Sequence, residues 1–131
     1  MIIIAMEQLP ITEEDILSQV TALGGKVTSD VEMLAATAAN KLKLHGVRRN
    51  ADGRKVDDEQ LKKAGAATKV LEELQARAYA LDQQTQHATE PGVIEAKKKV
   101  ARIRKMALAV KAAVSILLGN TDDPAIDLAR G

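Results

Sequence analysis

One loop of the sequence contains a pattern close to that of a metal-binding site. Four of its residues match positions three, five, six and twelve of an EF-hand calcium loop: Asn50, Asp52, Gly53 and Glu59. Arg48, however, occupies the first position, where a carboxylate belongs, and Lys55 occupies the apolar eighth position. Because these cations repel Ca²⁺, the pattern indicates a turn and not a calcium site.

The other residue types that do chemistry also lack the partners they need. Gly24-Gly25-Lys26 has neither the following Ser or Thr nor the earlier glycine of a phosphate-binding loop. His45 and His87 have no second ligand at metal-binding spacing. The Asp122-Asp123-Pro124 carboxylates precede a short apolar segment and are typical of a turn and helix cap. We therefore expect no catalytic residue, no metal site and no cofactor, and hence no enzyme.

The composition restricts the function classes further. The chain has 131 residues, which suits one domain, and it contains no cysteine, so disulfides and thiolate metal sites are excluded. Tyr79 is its only aromatic residue, which argues against the stacking platforms that bind single-stranded nucleic acid. The core must come from Leu, Ile, Val, Met and abundant Ala, a composition that favours closely packed helices.

Neither of the most apolar stretches predicts a targeting or membrane segment. Residues 1–6 are apolar but short and lack a basic flank. Residues 106–118 are shorter than a membrane span and include Lys111. We expect a cytoplasmic protein, or one within a virus particle assembled in the cytoplasm, without a membrane partner.

Two helices are predicted in the first third of the chain. The first starts after Pro10 with Thr12 as N-cap and Asp15 as the capping-box acid, and it stops at Gly24-Gly25. The second is capped by Thr28 or Ser29 and ends near Gly46. Their apolar side chains recur at helical spacing, so each helix should bury one face.

Two longer helices are predicted in the rest of the chain. The third runs from about residue 57 to about residue 88, and the fourth follows a break at Glu90-Pro91-Gly92 and runs to Leu118. Both keep a stripe of mostly apolar residues at alternating spacings of three and four, the period of a left-handed coiled-coil seam. The predicted seam residues are Ala64, Ala67, Leu71, Leu74, Ala78, Leu81, Thr85 and Ala88 on the third helix and Ala96, Val100, Ile103, Ala107, Val110, Val114 and Leu117 on the fourth. Because their connector is short, they must form an antiparallel hairpin, with arms of about 40 Å.

These elements predict an all-α helical bundle dominated by the long antiparallel hairpin, with two shorter helices before it. Residues 1–56 would hold an N-terminal arm, the short helices and a basic loop, and residues 57–131 the hairpin and C-terminal tail, all in one structural domain. Between the second and third helices, basic residues flank an Asp-Gly turn, which predicts either a small β-hairpin with a basic tip or a solvated loop.

Positive charge concentrates late in the chain. From Gly92 onward there are 8 basic and 4 acidic residues, against 11 and 14 before it. The candidate anion-binding or nucleic-acid-binding residues are those of the basic loop and the outer side of the fourth helix: Arg48, Arg49, Arg54, Lys55, Lys97, Lys98, Arg104 and Lys105. A solvated face explains the same residues. The fourth helix nevertheless lacks the first-turn acids of the other three, which favours an anionic partner.

Two apolar stretches are candidates for assembly contacts. Residues 106–118 are apolar nearly all round, which requires cover on every side, either from the first two helices or, as we favour, from neighbouring subunits. Three consecutive isoleucines near the start would dock on a neighbour, as an added strand, or on the chain's own bundle. The candidate contact residues are Ile2, Ile3, Ile4, Met106, Leu108, Ile116 and Leu118.

Two hypotheses of function follow. The first is a non-enzymatic assembly subunit that forms a homo-oligomer or docks onto other proteins, as in a phage or viral particle. The second is a DNA-binding oligomer, because the first two helices and their glycine turn have the broad form of a helix-turn-helix with a basic wing. That head on a helical oligomerisation hairpin resembles, in layout, the small terminase subunits of phages.

Overall fold

The computed structural model of the protein describes residues 7–130. These residues form six helices and a two-stranded sheet, in the order β1 (Gln8–Pro10), α1 (Glu13–Ala22), α2 (Ser29–Leu44), β2 (Arg48–Asn50), α3 (Asp58–Ala67), α4 (Lys69–Gln84), α5 (Pro91–Leu117) and α6 (Pro124–Arg130). The predicted helical fold is confirmed, and α4 and α5 form its long antiparallel pair.

Side-chain caps start the first two helices where the sequence predicts. At α1, the Thr12 hydroxyl accepts from the Asp15 amide and the Asp15 carboxylate accepts from the Thr12 amide, both at 3.1 Å. At α2, the Thr28 hydroxyl accepts from the Val31 amide at 3.3 Å. Each cap satisfies an amide that has no partner within the helix, and so fixes the first turn.

The third predicted helix is wrong in one respect, because it is broken at Thr68 into α3 and α4. The buried Thr68 turns both its amide and its hydroxyl to the Ala64 carbonyl, each at 2.9 Å. Its own carbonyl accepts from the Leu71 amide, in a turn tighter than an α-helix. The apolar stripe continues through this break, since Ala64, Ala67 and Leu71 are all buried.

Of the two alternatives for the basic segment, a β-hairpin or a loop, the hairpin does not form. Its first strand forms as β2, but β2 pairs antiparallel with β1, with Leu9 opposite Arg49. The Asp-Gly turn is present, with Gly53 at φ +80° and its amide donating to the Asn50 carbonyl. The chain after the turn does not return as a strand, because the Val56 amide donates instead to the Leu118 carbonyl at 3.0 Å.

The core lies around the C-terminal half of α5. Five of its most central residues are Ile16 and Val20 from α1, Leu42 from α2, Leu71 from α4 and Val110 from α5, all at most 1% exposed. A smaller cluster joins α5 to α6 through Ala112, Ala125 and Ile126. Other helices of the same chain therefore cover the stretch at residues 106–118, so its apolar character does not require the neighbouring subunit that we favoured from the sequence.

Candidate protein-docking surface

The candidate cationic residues form two sets at opposite ends of α5. The set in the loop region lies beside the end of α5, because the Val56 amide donates to the Leu118 carbonyl. The other set starts at Lys97, which precedes Leu118 by a helical rise of about 30 Å. The structure therefore does not bring the eight residues together into one cationic face.

Most of the loop set is engaged within the chain. The Arg49 guanidinium lies 3.6 Å from the Asp15 carboxylate, and the Arg48 guanidinium donates to the Gln8 carbonyl at 3.3 Å. The Arg54 backbone amide is the main cause of a lowered pKa of Asp52, and the Arg54 side chain pairs with the same carboxylate at 2.9 Å. Lys55 is exposed.

The EF-hand-like residues do not converge on a cation position. The Asn50 side-chain amide donates to the backbone carbonyls of Arg54 and Lys55. The Asp52 carboxylate faces Arg54, and Glu59 pairs with Lys63 at 3.4 Å along α3. Within residues 7–130, no group of three or more His, Cys, Asp or Glu residues could hold a metal ion.

Asp123 caps α6, as the sequence predicts, and also anchors it to α5. One carboxylate oxygen accepts from the Ala125 amide at 2.9 Å, and the other accepts from Ser115 and from Lys111. Burial would raise the pKa of the Asp123 carboxyl, but these hydrogen bonds outweigh it and hold that pKa below its ordinary value. Sequence reasoning missed this cluster, although Lys111 and Ser115 are four residues apart and so share a side of α5.

That cluster is not arranged for nucleophilic catalysis. The Ser115 hydroxyl is buried and donates to a carboxylate that also binds the Lys111 ammonium. A nucleophilic serine needs a base that can take its proton while the hydroxyl faces a substrate, and Ser115 faces the α5–α6 junction. A cavity of about 210 Å³ between α1, α5 and α6 is likewise smaller than most ligand pockets.

The distal arm, defined here as residues 75–105, is the part of the hairpin beyond the core. On α5, the buried residues begin only at Ala107. Within the distal arm, Tyr79 is 52% exposed, Ile94 41%, Ile103 39% and Leu81 37%. Leu81 and Ile103 belong to the predicted seam, but they remain partly exposed because one neighbouring helix covers only one side of each.

Contacts between the two helices fix the register of the distal arm. The Lys97 ammonium lies 3.8 Å from the Asp82 carboxylate and donates to the Thr85 carbonyl at 3.2 Å. About two turns beyond Lys97 on α5, the Arg104 guanidinium lies over the Tyr79 ring of α4, 5.6 Å from the ring centroid. Lys97 and Arg104, both named from the sequence as anion-binding candidates, therefore hold the arm together.

The remaining cations of α5 differ in whether they are paired. Lys98 pairs with Glu95 at 3.5 Å within the same helix. By contrast, Lys99, Arg102 and Lys105 are exposed and make no ion pair with any residue in the range 7–130. Lys105 was among the sequence candidates, whereas Lys99 and Arg102 were not, because they flank the seam and were not on the outer side.

The candidate assembly residues lie mostly inside the chain. Leu118 is 3% exposed in the main core, and Met106 packs against that core. Leu108 and Ile116 pack against the smaller cluster at α6. The predicted contacts of Ile2, Ile3 and Ile4 lie outside the described residues.

Comparison of the chain with protein families, curated proteins and solved structures gave no match. Among the helices of residues 7–130, none combines the length and apolarity needed to cross a membrane.

Proposed function

We propose that the protein is a non-enzymatic helical assembly subunit that docks onto protein through its distal arm, within a larger complex such as a phage or viral particle. The observation that carries this proposal is the difference in burial between the two halves of α5. Its C-terminal half is covered by α1, α2, α4 and α6, whereas its N-terminal half is covered, within residues 7–130, only by α4 and leaves Ile94 and Ile103 exposed.

The energetics of a two-helix arm support docking. Short helices gain most of their stability from packing an apolar face and not from their own hydrogen bonds. In the distal arm, each helix packs on one neighbour, and large apolar side chains remain partly in water. A partner that covers Leu81 and Ile103 would remove this area from water, at about 25 cal/mol per Å².

The DNA-binding hypothesis stays a prediction with less support from the geometry. The two cationic sets are separated by about 20–30 Å along α5, and Arg49 and Arg54 face carboxylates of the chain itself. On α2, which would be the recognition helix, the cations Lys41 and Lys43 lie in the last turn. The N-terminal part of a recognition helix usually contacts the bases.

Site-specific photo-crosslinking tests the proposal in the cells that make the protein. A benzophenone side chain replaces Leu81 or Ile103, and, as controls, Leu128 on α6 or Met33 on α2, which are 65% and 69% exposed. We expect discrete protein adducts from the two arm positions, because a docked partner lies within reach of them. The control positions should give little or no adduct.

Adducts from Leu128 and Met33 at the same yield as from the arm would contradict the proposal, since exposure alone would then explain them. An arm that gives no protein adduct while the folded chain remains abundant would contradict it equally.

A further inference from the structure

We infer that the partner seated on the distal arm is an acidic amphipathic helix of a different protein, held by Lys99 and Arg102 beside Leu81 and Ile103 and by Lys105, which lies further round α5 on its outer side. This inference rests on the proposed function and adds the chemistry of the partner.

The two sides of the distal arm differ in chemistry. One side is closed by the Lys97–Asp82 and Arg104–Tyr79 contacts, which join polar groups of the two helices. Lys99 precedes Ile103 by four residues, so these two lie on one side of α5. The register places Leu81 within about one helical turn of Ile103 on the neighbouring helix. The result is an apolar edge with cations beside it.

The charge of Lys99, Arg102 and Lys105 is not compensated by an ion pair with any described residue. Residues 91–105 contain six basic residues and one acidic residue, Glu95, which pairs with Lys98. Lys99, Arg102 and Lys105 follow each other at intervals of three, a spacing at which like charges on a helix destabilise it. They span about 9 Å of helix, or less than two turns. Carboxylates flanking the apolar stripe of a docked helix would be opposite in charge to these three cations and could be spaced over the same length of helix.

A second copy of the chain does not fit as the partner of this surface. Two arms packed against each other would bring the same unpaired cations together. The acidic helices α1 and α2 carry their apolar stripes, including Ile16, Val20 and Val31, inside their own core. Apart from single exposed side chains such as Met33 on α2 and Leu128 on α6, these acidic helices therefore offer no free apolar stripe.

Nucleic acid fits the same edge less well. A phosphate backbone gains little from Leu81 and Ile103, which are apolar. Proteins that bind duplex DNA neutralise about 6–10 phosphates, whereas four exposed cations on this helix are without an ion pair in the described chain, and one of them, Arg104, lies over the Tyr79 ring. The mixture of apolar and cationic side chains is that of a protein interface.

The test uses two synthetic helical peptides of three heptads with leucine at the two seam positions. One carries glutamate at the flanking positions and the other carries lysine. We expect the acidic peptide to bind the full chain and the basic peptide not to bind, measured by fluorescence anisotropy at low and moderate salt. Replacing Lys99, Arg102 and Lys105 by Gln should weaken binding of the acidic peptide about tenfold, the loss expected when three exposed ion pairs contribute about 0.5 kcal/mol each.

A matched control separates the effect of losing these three cations on the arm from the effect of a lower net charge. Lys26, Lys41 and Lys62 are exposed cations outside the distal arm, and replacing all three by Gln changes the net charge equally. This control should weaken binding less than about twofold, because only nonspecific attraction changes. A control that weakens binding as much as the arm variant would overturn the inference.

Three further outcomes would also overturn it: equal binding of both peptides, duplex DNA that competes for the arm cations, or photo-adducts at Ile103 that contain a second copy of the chain. If neither peptide binds while Leu81 and Ile103 still give adducts to other proteins, this inference fails and the proposed function stands. If those adducts are absent as well, the proposed function also fails.

Discussion

Leu71→Asp should leave the protein largely unfolded at room temperature. Leu71 is 1% exposed and belongs to the main cluster of buried hydrophobic residues. A charge buried without a partner costs several kcal/mol, and a cavity of the lost leucine atoms adds to it. Because a domain has a free energy of unfolding of about 5–15 kcal/mol, this one change removes most of it.

Ile103→Asp is the matched control on the same seam. From the sequence alone both substitutions should abolish folding, because both residues sit at seam positions. Ile103 is 39% exposed, however, so its carboxylate can reach water, and Lys99 lies one turn away. We expect the free energy of unfolding to fall by about 1 kcal/mol, as measured by urea denaturation followed by circular dichroism. Equal losses for the two variants would show that the core extends along the distal arm, contrary to the structure.

Gly119→Ala should cost about 3 kcal/mol in the free energy of unfolding, from a strained φ and a steric clash together. Gly119 has φ +72°, and an ideal Cβ there would lie 2.5 Å from the Lys55 backbone nitrogen. That contact is with backbone, so no flexible side chain can move aside. The loop whose Val56 amide bonds the Leu118 carbonyl would have to shift away from α5.

Gly46→Ala separates the two causes. Gly46 has nearly the same conformation, with φ +70°, but nothing lies within 4 Å of its ideal Cβ. It should therefore lose only about 1 kcal/mol, the cost of a left-handed alanine. Similar midpoints of thermal unfolding for the two variants would show that the loop does not approach Gly119 this closely.

Local signals made the helices predictable. The Thr12 cap and the spacing of the apolar residues depend on neighbours within about one or two turns, so the sequence contains the information directly. The bend at Thr68 is not visible in that spacing, because the buried face runs through it without a shift. The partner of β2 is equally hidden, since the Gly53 turn favours a local hairpin and the actual partner, β1, lies about forty residues earlier in the chain.

The candidate surface was predictable only in part. The seam of the hairpin follows from its heptads, but a heptad pattern does not show how many further helices cover it. The short helix α6 supplies some of that cover, and its contacts with α5 are not apparent from either segment alone. One signal was present in the sequence: near Met106, α5 changes from a cation-rich outer side to an apolar one, and the structure places the beginning of the core there.

Hydrogen exchange tests the docking role of the distal arm most directly. The amides of residues 91–105 and of residues 107–117 are compared in the isolated chain and in the assembly purified from its natural source. In the isolated chain we predict faster exchange in residues 91–105, because this half of α5 packs on no described helix other than α4. In the assembly we predict that residues 91–105 become protected by at least about tenfold, as docking worth ~1.4 kcal/mol would give, with residues 107–117 unchanged. Unchanged exchange in residues 91–105, or protection gained only at α2 or α6, would contradict the account.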